Sequence, residues 1–207
     1  MEQIKKNNEA EQTPQTKGLL KETEMKYKEI RLLRHGERKT DSSGKQLDEL
    51  SEQGILAALE YGARFSDGLP LTMLVSPTQR TVQTGKAIIQ SYRGDSSIRE
   101  FSPIGPELFT GYTLPKSSLN IDLIVSWLKE NPGLEGVIDK NMNLFLQQSK
   151  VGGRVIGVSH SPIVELSYYV LSNALKEIPN MAGPLGGWRL ESSSSTTYEK
   201  DRIAWGA

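Results

Sequence analysis

Three short apolar runs in this chain stop abruptly, and each stops on a cluster of polar residues. Residues 30–33, Ile-Arg-Leu-Leu, end in Arg34, His35, Gly36 and Glu37. Residues 71–75, Leu-Thr-Met-Leu-Val, end in Ser76, Pro77, Thr78, Gln79 and Arg80. Residues 155–158, Val-Ile-Gly-Val, end in Ser159, His160, Ser161 and Pro162. Runs this short and this apolar suit strands covered on both faces.

Helical patterns lie between the runs. Ile55, Leu59 and Phe65, with Ala57 and Ala58 among them, predict a helix over 50–65, and Ser51 is its expected N-cap. Further helices are expected over 77–92, 121–130, 134–148 and 162–175. Residues 97–101 read as another strand, as do 187–191 and 196–199, with the four Ser at 192–195 as a turn. Residues 103–118 hold three Pro and two Gly and read as an extended loop. Strands alternating with helices predict an α/β protein, a three-layer α/β/α sandwich around a mainly parallel sheet. The first 27 residues are rich in Lys, Glu, Gln, Asn and Thr and read as a disordered or loosely attached tail, with one domain over 28–207.

In an open α/β sheet, ligands gather where strands end and helices begin. Helix N-termini there present free N–H groups and the positive end of the dipole, which suit an anion. Ser76-Pro77 and Ser161-Pro162 each resemble an N-cap residue followed by proline in the first helical position. The chain has two His, and both follow directly on strand-like runs. With Arg34 and Arg80 they would form an anion site, for which a phosphoryl group is the natural occupant. His35, His160 and Glu37 also match a two-His, one-carboxylate metal set, but the flanking Arg residues oppose a cation. No metal or cofactor is expected.

Lys plus Arg number 25 and Asp plus Glu number 25, so no net field favours nucleic acid or an anionic membrane. The chain has no Cys, which removes thiolate chemistry and disulfides and fits a cytoplasmic protein. No apolar run approaches the ~20 residues that span a bilayer.

Arg34-His35-Gly36-Glu37 resembles the signature of the histidine phosphatase, or phosphoglycerate mutase-like, superfamily. Residues 76–84 are similar to its Ser-Pro-x-x-Arg-x-x-Gln-Thr block, Val158-Ser159-His160 to the motif around its second His, and Leu50-Ser51-Glu52-Gln53-Gly54 to the start of its first helix. Pro106-Glu107-Leu108-Phe109-Thr110-Gly111 resembles the segment that carries the acidic proton donor.

The resemblance implies a phosphoglycerate mutase-like fold and a phosphatase that forms phosphohistidine on His35. Arg34, Arg80, His160 and Ser161 would hold the phosphate, with His160 also catalytic, and Glu107 would protonate the leaving oxygen. Such an acid needs surroundings that favour its protonated form, which Ile104, Leu108 and Phe109 would supply. Its substrate would be a small phosphorylated molecule or a phosphoprotein. The alternatives are a mutase-type phosphotransferase and a phosphate-recognising module without turnover. The family often has Asn where this chain has Asp41, and Gly where it has Ser161. A carboxylate at 41 would oppose a dianion unless Arg38 or Lys39 offset it or the loop turned away.

Overall fold

The computed structural model describes residues 27–113, 120–148, 153–172, 181–191 and 203–205. Of the expected tail at 1–27, residues 1–26 lie outside the described residues, as do the Ser turn and the strand over 196–199, while Tyr27 opens the first strand. Strands β1 (Tyr27–Arg34), β4 (Leu71–Val75), β5 (Ser96–Glu100), β6 (Gly153–Ser159), β7 (Gly187–Glu191) and β8 (Ile203–Trp205) form one sheet. Two shorter strands, β2 (Arg38–Thr40) and β3 (Gln46–Leu50), pair as a separate hairpin after β1.

The large sheet runs β5-β4-β6-β1-β7-β8. β5, β4, β6 and β1 are parallel, while β7 runs antiparallel to β1 and β8 antiparallel to β7. Every residue of β4 and β6 is buried, as expected for inner parallel strands with helices over both faces. Side chains alternate between the faces as a strand requires. Leu33, Met73, Val75, Ile156 and Val158 meet Ala58 and Tyr61 of α1 (Glu52–Ala63) and Ala87 and Ile88 of α2 (Gln79–Ser91). On the other face Ile30, Leu32, Leu74 and Val155 meet α3 (Ile121–Glu130), α4 (Pro132–Leu146) and α5 (Ile163–Ser172). The fold is therefore the three-layer α/β arrangement with a mostly parallel sheet.

The local signals act as expected in α1, where Ser51 Oγ accepts the Gly54 amide at 3.0 Å. Gly54 has a second task. A Cβ there would overlap the Glu37 carbonyl, so only glycine lets α1 approach the turn after β1 this closely. Trp188 is fully buried and donates from Nε1 to Ser167 Oγ at 2.9 Å, and Trp205 stacks edge-on against Tyr168 with centroids 5.2 Å apart. Both tryptophans and Tyr168 pack against the sheet. Instead of an extended loop, residues 102–109 form two successive 3-10 turns, Ser102–Ile104 and Pro106–Phe109. They are held down by burial of Ile104, Leu108 and Phe109.

No helix among the described residues is long and apolar enough to cross a membrane.

Candidate active site

Strand order and register decide which residues meet. β6 lies between β4 and β1, with Arg34 level with Ser159 and Val75 level with Val158. The residues that follow, His35, His160 and Ser76, therefore leave three adjacent strands at one height. Backbone bonds carry the pairing just past the strands: the His35 amide donates to the Ser159 carbonyl and the Ser76 amide to the Val158 carbonyl, both at 3.0 Å. His35 and His160 are both buried, and their ring centroids lie 5.5 Å apart with planes inclined by 59°.

Hydrogen bonds fix the proton on each ring. His35 Nδ1 lies 2.7 Å from the Gly36 carbonyl, which can only accept, so the proton is on Nδ1 and Nε2 keeps its lone pair. Arg80 Nη2 donates to His160 Nδ1 at 2.9 Å. The His160 proton must then be on Nε2, which faces Ser76 Oγ at 2.9 Å. Burial holds the His35 imidazole down to about 4, aided by the positive charges of Arg80, Arg34 and Arg38 and opposed by the bond to Gly36. Burial also lowers His160 to about 3, with Arg80 and His35 adding to it. Both rings are thus neutral near pH 7.

Arg34 and Arg80 flank this pair. Arg34 Nη1 donates to the Ala182 carbonyl at 2.7 Å, and Arg80 Nη1 forms an ion pair with Asp48. The Nε atoms of both arginines are buried without a hydrogen-bond partner among the described residues. Buried N–H groups are rarely left unpaired in native proteins. Two of them lie beside two neutral imidazoles, as donors whose partners an oxyanion can supply. Among the described residues no group of three or more His, Cys, Asp and Glu converges to hold a metal ion.

The remaining expected site residues divide. Glu107 sits in the second 3-10 turn, where its carboxylate folds back over Gly105 beside Pro77. The first 3-10 turn, which leads into it, is tied to the site because Ser159 Oγ donates to the Ile104 carbonyl at 2.6 Å. The apolar cover expected from Ile104, Leu108 and Phe109 is not there, since these three turn into the core while Glu107 is exposed. Ser161 was expected to hold phosphate, but its hydroxyl donates to Glu165 Oε1 at 2.8 Å. That proton is committed to a carboxyl and leaves only lone pairs for a phosphate, which itself needs donors.

Neither Ser-Pro pair acts as a helix cap. α2 begins at Gln79 behind Thr78, and α5 begins at Ile163. The Ser76 hydroxyl is used by His160 and the Ser161 hydroxyl by Glu165.

Asp41 does turn away. Its Oδ1 accepts from the Ser43 amide at 2.9 Å, the Ser43 hydroxyl at 2.6 Å and the Lys45 amide at 3.0 Å, which closes the β2–β3 turn. These bonds, that from the Ser43 hydroxyl first, hold its carboxyl below the ordinary range. Glu37 is exposed, and its backbone carbonyl rather than its side chain serves the site by accepting the Ser51 amide at 2.9 Å.

Sequence reasoning did not single out Asp48, Thr84 or Glu165. Thr84 Oγ1 accepts the Gly36 amide at 3.0 Å and donates to the Arg80 carbonyl at 2.7 Å, linking the His35 turn to α2. The Gln-Thr pair ending the 76–84 block was a usable signal for it. Asp48 and Glu165 carry no local signal.

Comparison with known proteins agrees with this geometry. Residues 30–102 match the model of the histidine phosphatase superfamily (branch 1). No curated protein matches the chain. Among solved structures it is similar to a phosphohistidine phosphatase by name, SixA of Agrobacterium tumefaciens, at 18% identity and a TM-score of 0.51, covering 86% of this chain and 94% of that one. It is similar to a mycobacterial glucosyl-3-phosphoglycerate phosphatase at 16% identity and a TM-score of 0.52, covering 86% and 95%. A phosphoglycerate mutase from Bacillus anthracis gives 14% and 0.53, covering 86% and 91%. At these identities the likeness is one of fold. The family match spans the segment that supplies Arg34, His35 and Arg80, and the solved structures extend the likeness in fold over most of the chain.

Proposed function

We propose that the protein is a phosphatase that hydrolyses phosphomonoesters, or phosphohistidine on a protein, through a phosphohistidine on His35. One observation carries this reading: His35 is neutral with its proton on Nδ1 and a free lone pair on Nε2, and it lies beside two arginines whose Nε–H groups have no partner among the described residues. An imidazole in that state is a nucleophile, and the guanidinium groups supply the positive charge a phosphoryl transition state needs.

Arg34 and Arg80 hold the phosphoryl oxygens. An oxygen arriving at Arg80 takes over the guanidinium N–H now donated to His160 Nδ1, and His160 turns a ring proton toward the same oxygen. His35 Nε2 then attacks phosphorus as the bond to the leaving oxygen breaks, and Glu107 protonates that oxygen. In the second step the Glu107 carboxylate takes a proton from water, whose oxygen attacks phosphorus. The P–N bond breaks, orthophosphate leaves and His35 returns to its neutral form. The exposed position of Glu107 suits an acid that must meet both a departing alcohol and an incoming water.

The test is orthophosphate release from p-nitrophenyl phosphate, sugar phosphates and a phosphohistidine peptide. Wild-type protein should turn over at least one and His35→Ala none, with acid-labile, alkali-stable label trapped on the wild type. Transfer of the label to a second substrate instead of water would make the protein a phosphotransferase. No turnover of any phosphate ester by a folded wild type would sink the proposal.

A further inference from the structure

Glu165 is a fully buried carboxyl in the first turn of α5, and the reaction sequence above does not use it. Its Oε1 accepts from two sides, from the Ser161 hydroxyl at 2.8 Å and from the Ala182 amide at 2.9 Å. Its Oε2 has no hydrogen-bond partner among the described residues. Ala182 makes the connection to the phosphate site, because its carbonyl accepts from Arg34 Nη1 at 2.7 Å.

One residue of backbone thus joins the Glu165 carboxyl on its N–H side to the Arg34 guanidinium on its C=O side. The same segment docks on the Arg34 backbone, with the Arg34 amide donating to Gly186 at 2.8 Å and the Leu185 amide to Arg34 at 3.1 Å.

We propose that Glu165 is a positioning residue that, through Ala182, sets the Arg34 guanidinium so that its unpaired Nε–H faces the phosphoryl oxygens. The inference rests on the proposed phosphate site. A buried carboxyl is costly unless its oxygens are satisfied. Here two donors converge on Oε1 while Oε2 has no donor among the described residues, so ionisation would leave buried negative charge on Oε2 without compensation. Burial pushes the Glu165 carboxyl up, against the bonds from Ala182, Ser161 and its own backbone amide and the charge of Arg34. Glu165 therefore acts as an uncharged strut. It accepts the Ala182 amide and fixes the position of that residue without placing a negative charge behind the site, where it would repel a dianion.

This separates the idea from simple charge pairing. An amide side chain of the same shape can replace a neutral acid, whereas it cannot replace a carboxylate counter-ion. The probe is inorganic orthophosphate, titrated against Glu165→Gln, Glu165→Asp, Glu165→Ala and wild type, with binding read from the NMR shifts of the two imidazoles. The Gln variant should bind within about threefold of wild type. The Asp variant, one methylene short, and the Ala variant should bind about tenfold more weakly or worse, with KM rising more than kcat falls where turnover is measured.

Equal affinity in wild type and a folded Asp or Ala variant overturns the proposal, and so does a Gln variant as weak as Ala. A measurement on wild type covers the case in which the shortened variants do not fold. Orthophosphate should shift the Ala182 amide resonance and slow its hydrogen exchange, and an unmoved Ala182 signal at saturation overturns the proposal as well. Binding that depends on Glu165 in a protein without turnover would leave the positioning role standing and remove the proposed phosphatase. Turnover with binding indifferent to Glu165 would do the reverse.

Discussion

His35 and His160 face one another in opposite tautomers, the first protonated on Nδ1 toward Gly36 and the second on Nε2 toward Ser76. The relationship follows from what each ring has beside it, a carbonyl that only accepts in one case and a guanidinium that only donates in the other. Two-dimensional 15N spectra of the imidazoles are simple to assign, since the chain has two His. They should show one ring of each tautomer, neutral from pH 7 down to about pH 5. A single shared tautomer, or a ring charged at pH 6, would refute the arrangement.

The same depression of pKa makes stability depend on pH. Folded values of about 4 for His35 and about 3 for His160 lie below the ~6.5 of an unfolded imidazole. Between those values the unfolded chain binds more protons, so the stability contributed by both rings is fully present above about pH 6.5. It is lost as pH falls through the window toward 4 and then 3. Inside the window each ring contributes a slope approaching about 1.4 kcal/mol per pH unit. Urea unfolding between pH 7 and pH 4.5 should show the decline, and His160→Gln should flatten it.

Glu107 lies on the exposed side of a 3-10 turn whose apolar neighbours face the core. If it delivers a proton, Glu107→Gln should slow alkyl phosphates by about a hundredfold or more and aryl phosphates with good leaving groups far less, because positioned acids contribute roughly 10²–10⁴-fold. A parallel loss across both classes, measured as kcat/KM, would return the acid role to some other group.

Asp48 and a bound phosphate would compete for Arg80. The Asp48 side chain is 49% exposed, so its ion pair is screened by water and holds the guanidinium weakly. Asp48→Asn should therefore tighten orthophosphate by about two- to fivefold at low salt, the gain shrinking at high salt. Weaker binding would mean that Asp48 serves chiefly to orient Arg80.

At the opposite end of β1, Glu29 bridges the buried Arg154 and the half-buried Arg31, with Arg154 Nε and Arg31 Nη2 each 2.5 Å from its oxygens. Removing the carboxylate takes the shared counter-ion from both guanidinium groups in a region where the side chains of Glu29 and Arg154 are each only 7% exposed, and Arg154 keeps the more exposed Asp67 as its counter-ion. Glu29→Ala should lower stability by about 3–5 kcal/mol, read by denaturant unfolding, and leave phosphate binding intact in the folded fraction.

What the sequence determined by itself was local. Apolar runs of strand length, the cap at Ser51, and the placement of His35 and His160 directly after buried strands all follow from rules that act over a few residues. Those rules overreached at Ser76 and Ser161, where a Ser-Pro pair reads as a cap. Each hydroxyl is taken by a buried partner, distant in sequence for Ser76 and one helical turn away for Ser161. Tertiary structure alone decided that β6 stands between β4 and β1, that Asp48 reaches Arg80 and that Ala182 joins Glu165 to Arg34. The physical reason is range. A strand or a cap is specified by its own neighbours, whereas the partner of a buried charge is whichever group the packed core leaves within hydrogen-bond distance.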